Sequence, residues 1–229
     1  MFKRINIICG HYGCGKTNFS INAALNMKKD GKDVVLIDLD VVNPYFRTSD
    51  YRESLQKNGI KVISPVAAGS TLDAPFLSSA IDSSLYQKDS CVIVDVGGDD
   101  AGATSLGRFK SIIEDNYDYQ CLYVVNKYRK LISEPEFAIK LMREIESASK
   151  LRMDALVNNS HLSNFTTPDV VLSAGEYAQE ISRLSGLPLI ATTAPKQISD
   201  KLLGRVPALY PVEIIVSLPW ADKGDVLNA

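Results

Sequence analysis

The stretch Gly10-His11-Tyr12-Gly13-Cys14-Gly15-Lys16-Thr17 matches the pattern G-x-x-x-x-G-K-[ST] at every fixed position. An apolar run at 5–8 precedes it and a helical pattern over 17–29 follows it, which is the context of a phosphate-binding loop. Glycines let the backbone N–H groups of such a loop face phosphate oxygens, and the helix N-terminus adds partial positive charge. We predict that this loop and Asn18 bind a nucleotide, with Lys16 on the β- and γ-phosphates and the Thr17 hydroxyl on Mg²⁺.

The loop begins a longer alternation of short apolar runs and helical patterns. Strands are predicted at 5–8, 34–37, 61–63, 91–94, 121–125, 154–157, 187–191 and 212–216. Helices are predicted at 17–29, 49–57, 72–86, 102–115, 134–149 and 168–184. Nearly all-apolar strands that alternate with helices indicate a parallel sheet covered on both faces. The sequence therefore predicts one P-loop α/β domain over residues 1–229, a three-layer αβα sandwich with a mostly parallel central sheet.

Composition narrows the class of protein. The net charge of −2 provides no basic field, so nucleic-acid binding is not expected. No apolar run reaches the length of a membrane span, and the first residues lack the apolar region of a signal peptide, so we expect a cytoplasmic protein. The four cysteines form no C-x-x-C pair, and we expect buried thiols rather than metal ligands.

Acidic residues follow two of the predicted strands. Asp38 and Asp40 come at the end of the second apolar run, and Asp95 follows the run at 91–94. Ligands of parallel sheets bind at the carboxyl ends of the strands, so these acids should lie beside the loop. Of Asp38 and Asp40, one is predicted to orient an attacking water and the other to hold Mg²⁺ through water, and Asp95 is predicted to lie beside the metal. Gly97-Gly98 would present an N–H group to the γ-phosphate and move when that phosphate leaves.

In this order, the segments GHYGCGKT, VVLIDLD, VIVDVGG and ALVNNS resemble the MinD/ParA/CobQ-type ATPases, the deviant-Walker-A branch of the P-loop proteins. The resemblance covers residues 3–196 and implies ATP and Mg²⁺ as ligands. It implies that Lys16 and Thr17 are the phosphate lysine and the magnesium hydroxyl. It also implies that Asp40 activates the hydrolytic water and that Asp95 is the switch II acid.

The resemblance extends to the base and to assembly. An asparagine after a late strand reads adenine in the family, and Asn158 or Asn159 matches it. The backbone near Pro195 would close the base pocket. ATP-bound members of the family commonly form sandwich dimers across the phosphate loop, so a homodimer is among the expectations.

Two positions depart from the family pattern. The family's signature lysine, which reaches the partner's phosphates, is replaced here by His11, and Tyr12 replaces a glycine. Histidine is shorter than lysine and carries little charge at pH 7, so slow hydrolysis is expected. Arg47, in the segment that would follow Asp40 as switch I, is a candidate for the missing cation, in cis or in trans. A solvated surface arginine is the alternative.

Adenine is expected rather than guanine. Guanine-selective P-loop proteins use an N-K-x-D strand end, and Asn126-Lys127-Tyr128-Arg129 places Arg129 where the acid belongs. Arginine has donors only and cannot accept from the guanine N1–H and amino groups.

The sequence favours an ATP-binding, slowly hydrolysing switch that acts on an unidentified protein partner. Two alternatives stay open at this stage. One is a small-molecule kinase, ligase or amidase like the dethiobiotin synthetase and cobyrinate enzymes, for which Arg47, Arg108 and Lys127 are candidate carboxylate clamps. The other is a metal-insertion chaperone, which the missing C-x-C and C-x-x-C patterns make less favoured.

Overall fold

The computed structural model describes residues 1–40, 48–64, 74–98, 100–116 and 118–216. These residues form an eight-stranded sheet in which every adjacent pair of strands is parallel, in the order β3-β2-β4-β1-β5-β6-β7-β8. The strands are β1 (Ile5–Gly10), β2 (Val34–Leu39), β3 (Ile60–Ile63), β4 (Cys91–Val96), β5 (Tyr119–Val125), β6 (Ala155–Asn158), β7 (Leu189–Pro195) and β8 (Leu209–Val212).

Helices flank this sheet and complete a three-layer α/β fold. They are α1 (Lys16–Lys29), α2 (Arg52–Lys57), α3 (Ala74–Tyr86), α4 (Asp100–Gly107), α5 (Lys110–Glu114), α6 (Pro135–Ser149), α7 (Pro168–Ser173), α8 (Gly175–Ser185) and α9 (Lys196–Ser199). Helix α1 packs on β1, β2 and β4, whereas α6 packs on β1 and also contacts α4 and α8. The predicted fold class is therefore confirmed.

The core lies in the central strands. Every residue of β1 and β2 is buried, as expected for parallel strands covered on both faces. Tyr123 of β5 is fully buried, and its hydroxyl donates to the carbonyl oxygen of Ala138 in α6 over 2.7 Å. This bond satisfies the polar end of a large aromatic side chain, as burial of a hydroxyl requires.

Three sequence predictions need correction. The helix predicted at 102–115 is two helices, because α4 ends at Gly107, and glycine is the residue that most often terminates a helix. A Cβ at Gly107 would lie 3.3 Å from the carbonyl oxygens of Ala148 and Ser149, so the end of α4 packs closely on the end of α6. The helix predicted at 168–184 is also two, with α8 starting at Gly175, a residue that weakens a helix interior.

The third correction concerns the last strand, predicted at 212–216 and found at Leu209–Val212. Two asparagines of α1 bind the backbone that follows it. Asn18 accepts from the N–H groups of Ile215 and Val216 at 2.9 and 3.1 Å. Asn22 accepts from the Glu213 N–H group at 2.7 Å. Because these backbone N–H groups donate to side chains of α1, they are not available for pairing with a neighbouring strand.

The strand order places the phosphate loop at a switch point of the sheet. Strand β1 lies between β4 and β5, and β2 lies on the far side of β4. The chain therefore leaves β1 toward one edge of the sheet and leaves β4 toward the other. In open parallel sheets, ligands bind in the crevice at such a point, at the carboxyl ends of the strands.

Candidate functional site

The phosphate loop connects β1 directly to α1. Gly15 precedes the helix with a φ of 88°, a left-handed conformation that glycine adopts without strain. Gly15, the N-cap residue, has no side chain to cap the first turn of α1, whose backbone N–H groups have no helical partner. The N-terminus of this 14-residue helix is therefore suited to bind an anion.

Lys16 lies over the loop. Its side chain is buried, and Nζ donates to the carbonyl oxygen of His11 over 3.1 Å. Its positive charge acts on the interior, because it opposes the effect of burial on the pKa of Asp95. Lys16 is thus the cation between the loop and the acids at the ends of β2 and β4. Tyr12, by contrast, is 52% exposed at the outer side of the loop.

Two carboxylates lie side by side at the centre of the site. Asp38 of β2 and Asp95 of β4 are register partners, so their side chains share one face of adjacent strands. Both are buried. Burial, and then the negative charge of Asp95, raises the pKa of Asp38 to about 7. The N–H groups of Asp40 and Ser49 oppose this shift, because they stabilise the charged form of Asp38.

Asp95 is the more strongly embedded of the two. Burial raises its pKa, whereas the charge of Lys16 and hydrogen bonds from Thr17 and Thr48 lower it. The hydroxyl of Thr48 donates to Oδ2 over 2.8 Å, and that of Ser20 donates to Oδ1 over 3.2 Å. Sequence reasoning missed both hydroxyls. The contact of Ser20 with Asp95 could have been predicted, because Ser20 lies one helical turn after Thr17 on the same face of α1. Nothing in the sequence indicates the contact of Thr48 with Asp95.

The donor set fits Mg²⁺. The ion takes oxygen ligands and is commonly held by one or two carboxylates together with substrate phosphates and water. Thr17 lies close enough to lower the pKa of Asp95, and Asp38 faces Asp95 across the strand pair. Thr17, Asp95 and Asp38 are the residues that would hold the ion.

Asp40 lies at the edge of this group. A Cβ at Gly97 would be 3.2 Å from Oδ1 of Asp40, so the carboxylate lies against the backbone that follows β4. Its charge also raises the pKa of Asp95, which places it near the buried pair. A partly exposed acid beside buried ones is suited to contact a water molecule, and the assignment of Asp40 to that role stays a prediction.

The backbone after β4 packs on the phosphate loop. A Cβ at Gly98 would lie 2.6 Å from Cα of Tyr12 and 3.0 Å from the carbonyl carbon of His11. A side chain at residue 98 is therefore excluded by the loop backbone. The role of Gly97 and Gly98 as a switch remains a prediction.

Asn159 supports the loop from the other side. Its Nδ2 donates to the carbonyl oxygen of Cys14 over 2.7 Å, and its Oδ1 accepts from the hydroxyl of Thr193. Asn158 is also buried, with Oδ1 accepting from the Ser160 N–H group over 3.2 Å. Both polar groups of Asn159 thus bind protein in this structure, and the adenine role predicted for Asn158 or Asn159 is untested.

Several predicted residues lie apart from the centre or outside the described residues. Asn18 binds the backbone of Ile215 and Val216 instead of facing the loop. Pro195 ends β7, three strands from β1 in the sheet. Arg47 falls outside the residues that the structure describes.

The cysteines behave as apolar residues. Cys9, Cys14 and Cys121 are buried, and burial raises the pKa of the Cys9 thiol to about 12. Within the described ranges, no group of three or more His, Cys, Asp or Glu side chains is arranged to bind a metal ion. Over the same part of the chain, no helix is both long and apolar enough to cross a membrane.

Comparison with known proteins identifies the fold. No family model matches the sequence, and no curated protein does. Among solved structures, chloroplast FtsY from Physcomitrella patens is similar with a TM-score of 0.58 and 16% identity over 82% of this chain and 57% of that one. FtsY from Mycoplasma mycoides gives a TM-score of 0.55 with 15% identity over 81% of this chain and 58% of that one.

The signal recognition particle 54 kDa protein from Aeropyrum pernix, solved in complex with GDP, gives a TM-score of 0.53 with 16% identity, over 81% of this chain and 40% of that one. This chain therefore spans about 40–60% of the length of these neighbours. At such identities the likeness shows the fold alone. The chain has the α/β fold of the P-loop nucleotide-binding proteins.

Proposed function

We propose that this chain, a P-loop nucleotide-binding fold, is an ATP- and Mg²⁺-dependent switch that hydrolyses ATP slowly and signals its state to a protein partner. The observation that carries the proposal is the direct packing of Gly98 on His11 and Tyr12. The backbone that follows the Asp95 strand rests on the loop that would hold the phosphates. Occupation of the loop and the position of this backbone are therefore coupled.

Different residues of the site would serve different parts of phosphoryl transfer. The backbone N–H groups at the start of α1, together with Lys16, would bind the phosphates, because they supply positive potential at one point. Asp40, partly exposed beside Gly97, would orient water for attack. When bound, Mg²⁺ would neutralise part of the phosphate charge in the transition state.

Substitution of Lys16 tests the central claim. Lys16→Ala removes the cation over the loop, and we expect ATP binding with Mg²⁺ to be lost in calorimetry. The far-UV circular dichroism should stay unchanged, because Nζ of Lys16 makes its hydrogen bond to a loop carbonyl rather than to the core. Lys29→Ala, at the opposite end of α1, is the control. Equal ATP affinity in Lys16→Ala and the wild type would end the proposal.

The choice of base is part of the proposal. The A. pernix neighbour was solved with GDP, so guanine is the competing candidate. Here the turn after β5 carries Arg129 in place of the acid that guanine recognition uses, and arginine cannot accept a hydrogen bond. We expect unlabelled GTP to displace labelled ATP only at a large excess. Displacement at equal concentration would reverse the assignment.

Signalling to a partner implies that two states differ at the surface. Backbone hydrogen exchange of α4, which follows Gly98, should differ between the ATP-bound and ADP-bound protein. Light scattering with Asp40→Ala and ATP tests for a homodimer, which would raise the mass twofold. ATP turnover that requires an added small molecule would instead favour an enzyme of the kinase or ligase type.

A further inference from the structure

Arg129 belongs to the turn that follows β5, next to the phosphate loop. Its N–H group donates to the carbonyl oxygen of Asn126 over 3.0 Å, and its carbonyl oxygen accepts from the Ile132 N–H group over 2.9 Å. These bonds fix the backbone of Arg129. Strand β5 is hydrogen-bonded to β1, so this turn lies beside the loop that leaves β1.

The guanidinium of Arg129 lies against the loop itself. A Cβ at Gly13 would be 3.2 Å from Cζ and 3.3 Å from Nε of Arg129. The absence of a side chain at Gly13 is what lets the guanidinium approach the loop backbone. Burial raises the pKa of the Cys14 thiol, and the charges of Lys16 and Arg129 oppose that shift. The charge of Arg129 therefore acts at the loop together with that of Lys16.

No carboxylate of the described residues forms an ion pair with this cation. The exposed side chain of Arg129 lies against the loop at Gly13. An arginine that lies against a phosphate-binding loop without a counter-ion has donors available for an anion. Arginine is the side chain best suited to phosphate, because its fork of N–H donors matches phosphate oxygens.

Within the described residues, a second donor near this turn also lacks a partner: it belongs to His161, whose carbonyl oxygen accepts from Nδ2 of Asn126 over 3.2 Å. The Nδ1 atom of His161 accepts from the Ser163 N–H group over 3.2 Å, which leaves the proton of a neutral ring on Nε2. This Nε2 is buried and has no hydrogen-bond partner in the structure. Burial, and then the charge of Arg129, lowers the pKa of His161 to about 4, so the ring is neutral at pH 7. A buried donor without an acceptor is unusual in a complete site.

We propose that Arg129 binds the nucleotide phosphates in cis, above Gly13, with the unpartnered Nε2–H donor of His161 on the segment that is hydrogen-bonded to the same turn. The proposal rests on the nucleotide binding proposed above and adds a residue to it. In the MinD/ParA/CobQ-type pattern a lysine at the position of His11 supplies a cation to the phosphates. The proposal gives that role to Arg129, in the turn after β5 of the same chain. The ligand class is a polyphosphate anion.

Calorimetry with Mg-ATP and with inorganic pyrophosphate as separate probes tests the assignment. Arg129→Gln should weaken both ligands about tenfold, as expected for the loss of one charge-assisted hydrogen bond. Arg129→Lys should retain part of the affinity. Lys130→Gln is the matched control, because it removes the same charge from the adjacent exposed residue and should leave both affinities unchanged. Thermal unfolding of each variant establishes that it is folded.

Two outcomes would overturn the proposal. One is an affinity of Arg129→Gln for pyrophosphate equal to that of Lys130→Gln. The other is a loss of affinity for ATP but not for pyrophosphate, which would place the guanidinium on the base. If the wild-type protein binds ATP in either case, nucleotide binding stands and the role of Arg129 alone is removed. A wild-type protein that binds neither probe would overturn both proposals.

A mixing experiment separates cis from trans action. Lys16→Ala protein cannot bind nucleotide but still carries Arg129. Addition of this protein to Arg129→Gln should not restore turnover if the guanidinium acts within its own chain. Restored turnover would show that Arg129 acts across a dimer and would overturn the cis assignment.

Discussion

The side-chain amide of Asn159 donates to the carbonyl oxygen of Cys14 over 2.7 Å, while its oxygen accepts from Thr193. One residue thus links the phosphate loop to β7 through the end of β6. The loop conformation depends on a contact that spans 145 residues of sequence.

Asn159→Ala should weaken the loop. We expect the free energy of unfolding to fall by about 1–3 kcal/mol, because the change leaves buried partners unsatisfied. The affinities for ATP and pyrophosphate should fall together, since the support of the loop is lost. If ATP affinity falls while pyrophosphate affinity does not, Asn159 reads the base instead. Thr193→Val is the control, since it removes the second bond of Asn159 and leaves the bond to Cys14.

Asp40 and Asp95 should have separable roles. Asp40→Ala should retain Mg-ATP affinity and lose at least about tenfold in turnover, because Asp40 would position water. Asp95→Ala should weaken Mg²⁺-dependent binding as well, because Asp95 lies with Thr17 at the proposed ion. Steady-state turnover and calorimetry with and without Mg²⁺ make the comparison. Turnover in Asp40→Ala equal to that of the wild type would exclude it from catalysis.

The stability of the nucleotide-free protein should depend on the protonation of Asp38. Its pKa is about 7 in the folded state against an ordinary value of 3.8. The folded protein therefore keeps a proton that the unfolded chain releases, and stability falls as the pH rises from about 4 to 7. Asp38→Asn should remove this fall, which is on the order of 2–4 kcal/mol.

Urea unfolding at pH 5 and pH 8 measures the effect of Asp38 without Mg²⁺ or nucleotide. The wild type should lose stability relative to Asp38→Asn as the pH is raised. Asp200→Asn, at an exposed acid, should show the same pH dependence as the wild type. Parallel curves for Asp38→Asn and the wild type would mean that Asp38 is ionised in the folded protein throughout this range.

Gly98→Ala should separate the backbone after β4 from the phosphate loop. The added Cβ would lie 2.6 Å from Cα of Tyr12, so one of the two backbones must move. We expect a loss of stability of about 1–3 kcal/mol in the absence of nucleotide. Gly175→Ala is the control, because a Cβ there meets nothing within 4 Å. Equal stability of the two variants would show that this packing is easily displaced.

The strands other than β8 were predictable from sequence because they are short, largely apolar runs. The run at 5–8, for example, leads into the loop and matches β1. The acids were predictable because strand ends in a parallel sheet converge, as Asp38 and Asp95 do in the register of β2 and β4. Both inferences use local patterns whose meaning does not depend on distant residues.

The remaining features depend on distant contacts. Asn18 next to the loop suggests a nucleotide ligand, yet it binds backbone near residue 215. The close packing of Gly107 on the end of α6 is a contact that no local pattern reports. The apolar run at 212–216 reads as a strand, whereas β8 includes Pro211, which a sheet edge tolerates. The approach of Arg129 to Gly13 likewise becomes visible only when β5 lies beside β1.

The strand order also determines when the site can form during synthesis. Ile5 of β1 pairs with Val92 of β4 and with Tyr119 of β5, so the central strand has no hydrogen-bonding neighbour until about half of the chain exists. Contacts between such distant residues slow folding, because a long loop must close before they form. Until then, the apolar surface of β1 is available to chaperones and to aggregation. The phosphate loop therefore acquires its working shape only after β4 and β5, which come much later in the chain, have been made.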